Sequence, residues 1–148
     1  MTEKLLNEDI TRQISEVFGQ LKESVKVLFF GQKDGCDYCD DTRKMVEEVT
    51  ALSDKLEMQV YDLQDDAETA KQYKVDRAPG IVIAAKDGDN LLDYGIRFAG
   101  IPSGHEFTSL IQDLILVSGR DSGLAVDTRQ FLQGVSKPVR LQVFVTPT

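Results

Sequence analysis

The sequence has few of the residues that build covalently stapled or metal-held folds. Its 148 residues include two cysteines, one histidine and no tryptophan. Two cysteines cannot form the framework of several disulfides that stabilises small secreted proteins. Basic residues are also few, 17 against 25 acidic ones, whereas a nucleic-acid partner requires a basic face to neutralise its phosphates. These shortages exclude a disulfide-rich scaffold and argue against a nucleic-acid partner.

Long apolar runs are missing as well. No stretch approaches the 18 or so apolar residues that a transmembrane helix needs, and no signal-peptide pattern follows the first residues. We therefore expect a cytoplasmic protein without a membrane partner. Apolar residues still make up 41% of the chain, which suffices for one ordinary domain with a buried core.

The apolar pattern predicts alternating helices and strands up to residue 118. Helical spacing occurs over 10–21, after the cysteine pair and over 67–73, and turn residues at 86–89 predict a hairpin. Strands joined through helices are expected to run parallel, and hairpin strands antiparallel. The order predicts an α/β fold with a mixed central sheet of four strands flanked by helices. β-branched and aromatic runs predict the strands over 25–30, 57–63, 80–85 and 91–98.

A capping box predicts where the last helix of this unit begins. In the tetrapeptide 103–106, Ser103 can accept a hydrogen bond from a backbone N–H three residues on, and Glu106 can reach back. Apolar residues then recur at helical spacing from Phe107 to Ile115.

The segment after residue 118 repeats the beginning of the chain. Aligning Val25 with Val139 also pairs Val17 with Phe131. We therefore expect one domain over 1–118, followed over 119–148 by the helix and first strand of a truncated second unit. A strand over 139–145 without its sheet would pair with another chain, giving homo-association, or would be disordered.

The motif Cys36-Asp37-Tyr38-Cys39 follows the first predicted strand and opens a helix. A thiol attacks as thiolate, and the N-terminus of a helix stabilises that anion through its free N–H groups and partial positive charge. A second thiol one turn further on can attack the mixed disulfide and release the product. This spacing assigns Cys36 as the attacking thiol and Cys39 as the resolving thiol.

Zinc sites use the same cysteine spacing, so a metal-binding or redox-inactive interaction module is the alternative. Tetrahedral zinc needs four ligands, and His105 is the only other soft candidate. Ala78-Pro79 precedes the third strand, where a proline removes no sheet hydrogen bond, and this position lies beside the cysteine loop. From the sequence alone, the trans isomer is expected at Pro79.

Together these features resemble the thioredoxin and glutaredoxin superfamily, and more specifically the N-terminal unit of the tandem glutaredoxin-like protein disulfide oxidoreductases. The resemblance implies a thioredoxin-like fold, redox-active Cys36 and Cys39, and a cis Pro79 that faces them and contacts substrate. Residues 97–110 also resemble the N-terminal region of the flavoprotein component of alkyl hydroperoxide reductase, whose first unit lacks the cysteines. The matching stretches are 29–31, 36–39, 76–79, 95–107 and 143–148.

The resemblance implies protein disulfides as substrates, an electron-donating reductase as a further partner, and no cofactor. Two departures from the family stand out. Phe30 lies near the place where thioredoxins carry a buried acid, and 100–104 lacks the glutathione signature of glutaredoxins. Asp37, Asp40 and Asp41 either complement the helix dipole or moderate thiolate formation, and Lys33 and Arg77 are expected to offset them.

Overall fold

The computed structural model describes residues 3–146; residues 1, 2, 147 and 148, including the end of the last matching stretch, lie outside the described part. Within it, no helix is long and apolar enough to cross a membrane. The helices are α1 Glu8–Phe18, α2 Cys39–Thr50, α3 Ala67–Gln72, α4 His105–Gly119 and α5 Val126–Gln133, and the strands are β1 Val25–Gly31, β2 Leu56–Asp62, β3 Gly80–Asp87 and β4 Asn90–Ala99.

The four strands form one mixed sheet in the order β2-β1-β3-β4, which confirms the predicted fold class. β1 and β2 run parallel, and the β3–β4 hairpin is antiparallel, as expected. The expectation that β3 also runs parallel is wrong, because Phe30 of β1 lies opposite Gly80 in an antiparallel register. The six residues of α3 span ~9 Å, too little to carry the chain back along a strand of ~23 Å. The chain therefore re-enters the sheet at the edge it left.

The core lies on both faces of β1. Val25, Val27 and Phe29 face one side and pack with apolar residues of α1, α2 and α4. Leu28 and Phe30 face the other side, where α3 covers them. A central strand buried on both faces explains why its sequence is a continuous apolar run rather than an alternating one.

The capping box at α4 does not form. Gly104 is the N-cap residue, and no side chain caps the helix. Gly104 has φ 61° and ψ −126°, a conformation that side chains other than hydrogen rarely allow. This backbone turn removes Ser103 from the N-cap position.

Within the segment 119–148 the structure has the helix α5, whereas residues 139–145 do not form a strand. Strands persist only when their backbone groups bond to a neighbour, and no strand of the described residues pairs with this segment. Its apolar side chains are exposed instead, Leu141 and Phe144 most of all.

Candidate functional site

Cys36 and Cys39 form a disulfide at the carboxyl end of β1. Their Cα atoms are 5.5 Å apart, within the usual range for a disulfide. Cys36 is half-buried and precedes the helix, whereas Cys39 is the first residue of α2 and only 6% exposed. The two sulfurs therefore differ in how readily another molecule reaches them.

The first turn of α2 fixes the loop between the cysteines. Tyr38 is the N-cap residue, and its carbonyl accepts from the backbone N–H of Thr42 at 3.0 Å and from the Thr42 hydroxyl at 2.6 Å. Thr42 is fully buried, so the donor side of these two hydrogen bonds is shielded from water. The Tyr38 ring itself is 59% exposed, and Asp37 beside it is exposed too.

Pro79 lies at the same edge of the sheet as the disulfide. Gly80 is opposite Phe30, and the next residues outward are Pro79 and Gly31, where the cysteine loop leaves β1. The Ala78–Pro79 bond is cis, as the family resemblance implies, so the trans isomer expected from sequence statistics is wrong. Pro79 is buried, and its carbonyl accepts a hydrogen bond from Gly100 at 2.9 Å.

Beneath the loop, the place of the thioredoxin acid is apolar. Phe30 is fully buried, and its ring stacks on that of Tyr61 with centroids 5.1 Å apart. Burial raises the pKa of the Tyr61 hydroxyl above its ordinary value. Sequence reasoning missed Tyr61. No local sequence pattern points to Tyr61, because its place opposite Phe30 depends on the register of β2 on β1.

The two basic residues expected to offset the aspartates of the motif are engaged elsewhere. Lys33 binds the carboxylate of Asp65, and the hydrogen bond and charge of that carboxylate raise the Lys33 pKa. Arg77 lies 4.0 Å from the carboxylate of Asp76. Neither forms an ion pair with Asp37, Asp40 or Asp41, so the expectation that they offset these carboxylates stays a prediction.

Asp62, the last residue of β2, stabilises the loop that follows it at this edge of the sheet. Its carboxylate accepts hydrogen bonds from the backbone N–H groups of Gln64 and Asp65, at 2.8 and 3.1 Å. These two bonds, the one from Asp65 foremost, lower the Asp62 pKa. Asp62 is therefore a charged residue. It lies at the start of the loop that contains Asp65, and this loop places Asp65 near Lys33.

His105 is the first residue of α4 and is exposed. Among residues 3–146, no group of three or more histidine, cysteine or acidic side chains is arranged to hold a metal ion. The structure thus brings Cys36, Cys39 and Pro79 to one edge and does not gather His105 with the cysteines as a metal site.

Comparison with known proteins agrees with this geometry. A family profile described as "Thioredoxin domain" matches residues 23–112, which include β1, the disulfide, the cis proline and most of α4. The chain belongs to the thioredoxin domain family. The match begins just before β1, so α1 and the residues after 112 lie outside the matched range.

Relatives of this thioredoxin domain chain are oxidoreductases. The alkyl hydroperoxide reductase component AhpF of Pseudomonas aeruginosa is 24% identical over 140 residues, which cover 95% of this chain and 24% of that protein. An NADH dehydrogenase of Ferdinandcohnia aciditolerans is 38% identical over 81 residues, 55% of this chain and 12% of that protein. The chain spans about a quarter or less of the length of these curated relatives.

Among solved structures, a protein disulfide oxidoreductase from Aeropyrum pernix K1 is similar to this chain with a TM-score of 0.77 and 26% identity. The similarity covers 90% of this chain and 56% of that one. AhpF from Enterococcus faecalis gives the same TM-score at 23% identity, over 89% of this chain and 62% of that one, which shows the shared fold.

Proposed function

We propose that this chain carries out thiol–disulfide exchange with protein disulfides at Cys36 and Cys39. The observation that carries the proposal is the asymmetric disulfide: a half-buried Cys36 bonded to a buried Cys39 at a strand-to-helix junction. An attacking thiol must reach its substrate, and a resolving thiol needs only to reach its neighbour. The oxidoreductase relatives support the same reaction.

In the reductive direction the reaction proceeds in two displacements. The Cys36 thiolate attacks one sulfur of the substrate disulfide, forms a mixed disulfide and expels the other substrate sulfur as a thiolate, which takes up a proton. The Cys39 thiol gives up its proton to water or a nearby base, and its thiolate attacks the Cys36 sulfur. The second substrate sulfur leaves as a thiolate and takes up a proton. Two electrons and two protons pass to the substrate, and the Cys36–Cys39 disulfide is restored.

Ala78 and Pro79 are proposed to hold the substrate chain during this exchange, with Tyr38 and Asp37 lining the approach. Ala78 is half-buried, and its backbone groups bond to no other residue of the described part. Free backbone groups at a sheet edge accept an extended peptide as an added strand. Pro79 is fixed by its bond to Gly100, so it gives this edge a rigid end.

Reduction of insulin by dithiothreitol tests the proposal. We expect the chain to accelerate the reaction and Cys36→Ser to abolish the acceleration. Cys39→Ser should instead accumulate a mixed disulfide with the substrate, because the resolving thiol is gone. Equal rates for the chain and Cys36→Ser would refute the proposal.

The setting and electron supply are further parts of the proposal. We place the exchange in the cytoplasm, where a reductase partner returns Cys36 and Cys39 to the dithiol state. The similarity to AhpF, a component of a reductase, supports such a partner. A redox titration of the pair tests the setting, since a potential far above that of a reducing cytoplasm would contradict it.

The segment 119–148 is proposed to begin a second thioredoxin-like unit, and its exposed apolar stretch to associate with another chain. Val139, Leu141 and Val143 alternate with polar residues and are all exposed, a pattern suited to pairing at a sheet edge. Light scattering over a range of concentrations should detect association that Leu141→Lys weakens. A monomer at every concentration would contradict the proposal.

A further inference from the structure

The sheet directs four loops to the edge that carries the disulfide. β1 and β2 are parallel, so Gly31 and Asp62 end at the same edge. β3 begins there, since Gly80 lies opposite Phe30, and β4 ends there, since Ala99 lies opposite Gly80. The loops after β1, β2 and β4, and the loop before β3, therefore lie at the same edge of the sheet as Cys36.

These four segments carry most of the net negative charge of the chain. Together, segments 32–41, 62–66, 73–79 and 100–106 contain nine acidic and three basic residues, a formal charge of −6 within a total of −8. The segments at the opposite edge, 19–25, 51–56, 86–90 and 117–123, contain five acidic and four basic residues. The asymmetry places the charge at the reactive end of the molecule. The nine acidic residues of this acidic edge are Asp34, Asp37, Asp40, Asp41, Asp62, Asp65, Asp66, Asp76 and Glu106.

Two of the three basic side chains of the acidic edge are held by its own carboxylates. Lys33 is bound to Asp65, and Arg77 lies beside Asp76. In contrast, Asp37, Asp40 and Asp41 are exposed and form no ion pair with another described residue. The net formal charge of the side chains at the edge that carries Cys36 is thus negative and exposed to solvent.

The position of the Cys36 sulfur determines where a substrate disulfide must bind. A substrate disulfide has to approach Cys36 to bonding distance, and it then lies among the exposed carboxylates and against the exposed Tyr38 ring. A pair of unit charges ~8–10 Å apart in water changes the rate of encounter by about twofold. Clefts lined by charges of one sign raise the on-rate of an oppositely charged ligand further. The charge next to a substrate disulfide therefore alters its rate of exchange.

We infer that the acidic edge makes this chain selective for disulfides flanked by lysine or arginine on a partner protein, and that it disfavours disulfides flanked by acidic residues. The inference rests on the exchange reaction proposed above. It adds a substrate class, basic protein disulfides, that the cysteine motif alone does not specify.

Three synthetic disulfide peptides of one sequence, with two lysines, two glutamines or two glutamates beside the disulfide, test the inference. The reduced full chain is mixed with each peptide, and the second-order rate is followed by stopped flow at about 20 and 500 mM salt. We expect the lysine peptide to react about tenfold or more faster than the glutamate peptide at low salt. The ratio should fall severalfold at high salt, because the field is screened.

Asp34→Asn with Asp76→Asn provides the matched variant, since both residues are exposed and lie off α2. It should lower the lysine-peptide rate about three- to tenfold at low salt and leave the glutamine-peptide rate within twofold. The control Asp54→Asn with Asp89→Asn removes the same charge at the opposite edge and should change the lysine-peptide rate by less than twofold.

The outcomes separate this inference from the exchange reaction itself. If the glutamine peptide is reduced but the lysine and glutamate peptides react equally fast, the selectivity is refuted and the exchange reaction stands. Equal effects of the two double variants would also refute it, because net charge rather than the acidic edge would then be responsible. If Cys36→Ser reduces the glutamine peptide as fast as the chain does, the exchange reaction fails instead.

Discussion

Ser118 joins α4 to the segment before β1 through one buried hydroxyl. It accepts hydrogen bonds from the backbone N–H groups of Lys22 and Glu23, at 2.8 and 3.1 Å, and donates to the carbonyl of Glu23 at 2.7 Å. Ser118 is fully buried, so its hydroxyl is shielded from water, and removing it costs three hydrogen bonds at once.

Ser118→Ala should therefore lower the free energy of unfolding by about 1–3 kcal/mol, measured by urea denaturation. Ser109→Ala on the same helix is the control. Its exposed hydroxyl makes one long bond of 3.4 Å, so the change should stay within about 0.5 kcal/mol. Similar losses in the two variants would contradict this account of Ser118.

Two carboxyls have pKa shifts of opposite direction. Burial raises the pKa of Asp113. The hydrogen bond from Arg97, followed by smaller contributions, lowers the pKa of Asp93. A carboxyl with a raised folded-state pKa binds its proton more tightly when folded, so its ionised form reduces stability at neutral pH. A carboxyl with a lowered pKa adds stability above its unfolded pKa and loses it as the pH falls through the folded pKa.

Asp113→Asn should therefore raise the free energy of unfolding at pH 7, and Asp93→Asn should lower it. Both differences should shrink as the pH falls, that of Asp113 beginning above the ordinary aspartate pKa of about 3.9 and that of Asp93 continuing below it. Urea denaturation between pH 7 and 3 measures both. Destabilisation by Asp113→Asn at pH 7 would contradict the prediction.

At the scale of elements, the apolar pattern predicted those features of helices and strands that depend on local sequence alone. β1 is buried on both faces and was predictable to within one residue, because its run of β-branched and aromatic residues is continuous. The direction of β3 was not predictable in this way, since it depends on the length of α3 relative to the length of the strands. The start of α4 depends on the backbone of Gly104, which a capping pattern does not reveal.

The α3–β3 junction gives an element-scale prediction through Gly80. A Cβ atom there would lie 2.7 Å from Val75 Cγ1 and 2.9 Å from the Arg77 carbonyl oxygen, so the backbone would have to shift. Gly80→Ala should destabilise the fold by about 1–3 kcal/mol and slow insulin reduction by displacing Pro79.

The matched control is Gly119→Ala at the end of α4, where a Cβ atom meets nothing within 4 Å. This variant should be neutral or slightly stabilising, because alanine favours the helix. A Gly80→Ala protein as stable and as active as Gly119→Ala would show that the junction tolerates the extra atom.

At the scale of the whole molecule, the site depends on contacts distant in sequence. The cysteine motif indicates its chemistry from local sequence alone, whereas Pro79 reaches the same edge only through the register of β3 on β1. The Tyr61 ring stacked on Phe30 likewise depends on the pairing of two strands. Local patterns do not contain these registers, so sequence reasoning needed the family resemblance to place Pro79 and missed Tyr61.

The segment after Arg120 contributes little to the folded body. No residue of α5 is buried, and the side chain of Phe131 is 77% exposed. A chain ending at Ser122 should therefore keep its free energy of unfolding within about 0.5 kcal/mol and its rate of insulin reduction within twofold. Urea denaturation and the insulin assay measure both, and a truncated chain that fails to fold would contradict the prediction.

The unequal burial of the two sulfurs makes the reduced protein a substrate for single-site chemical labelling. A maleimide added to the folded dithiol should attach to Cys36 and stop at one label per chain, since Cys39 is only 6% exposed in the disulfide form and reduction leaves the fold around it in place. The second label should appear only after denaturation, which mass spectrometry detects as one further mass increment. The fold thus supplies a uniform attachment point for a fluorophore or a surface at its reactive end.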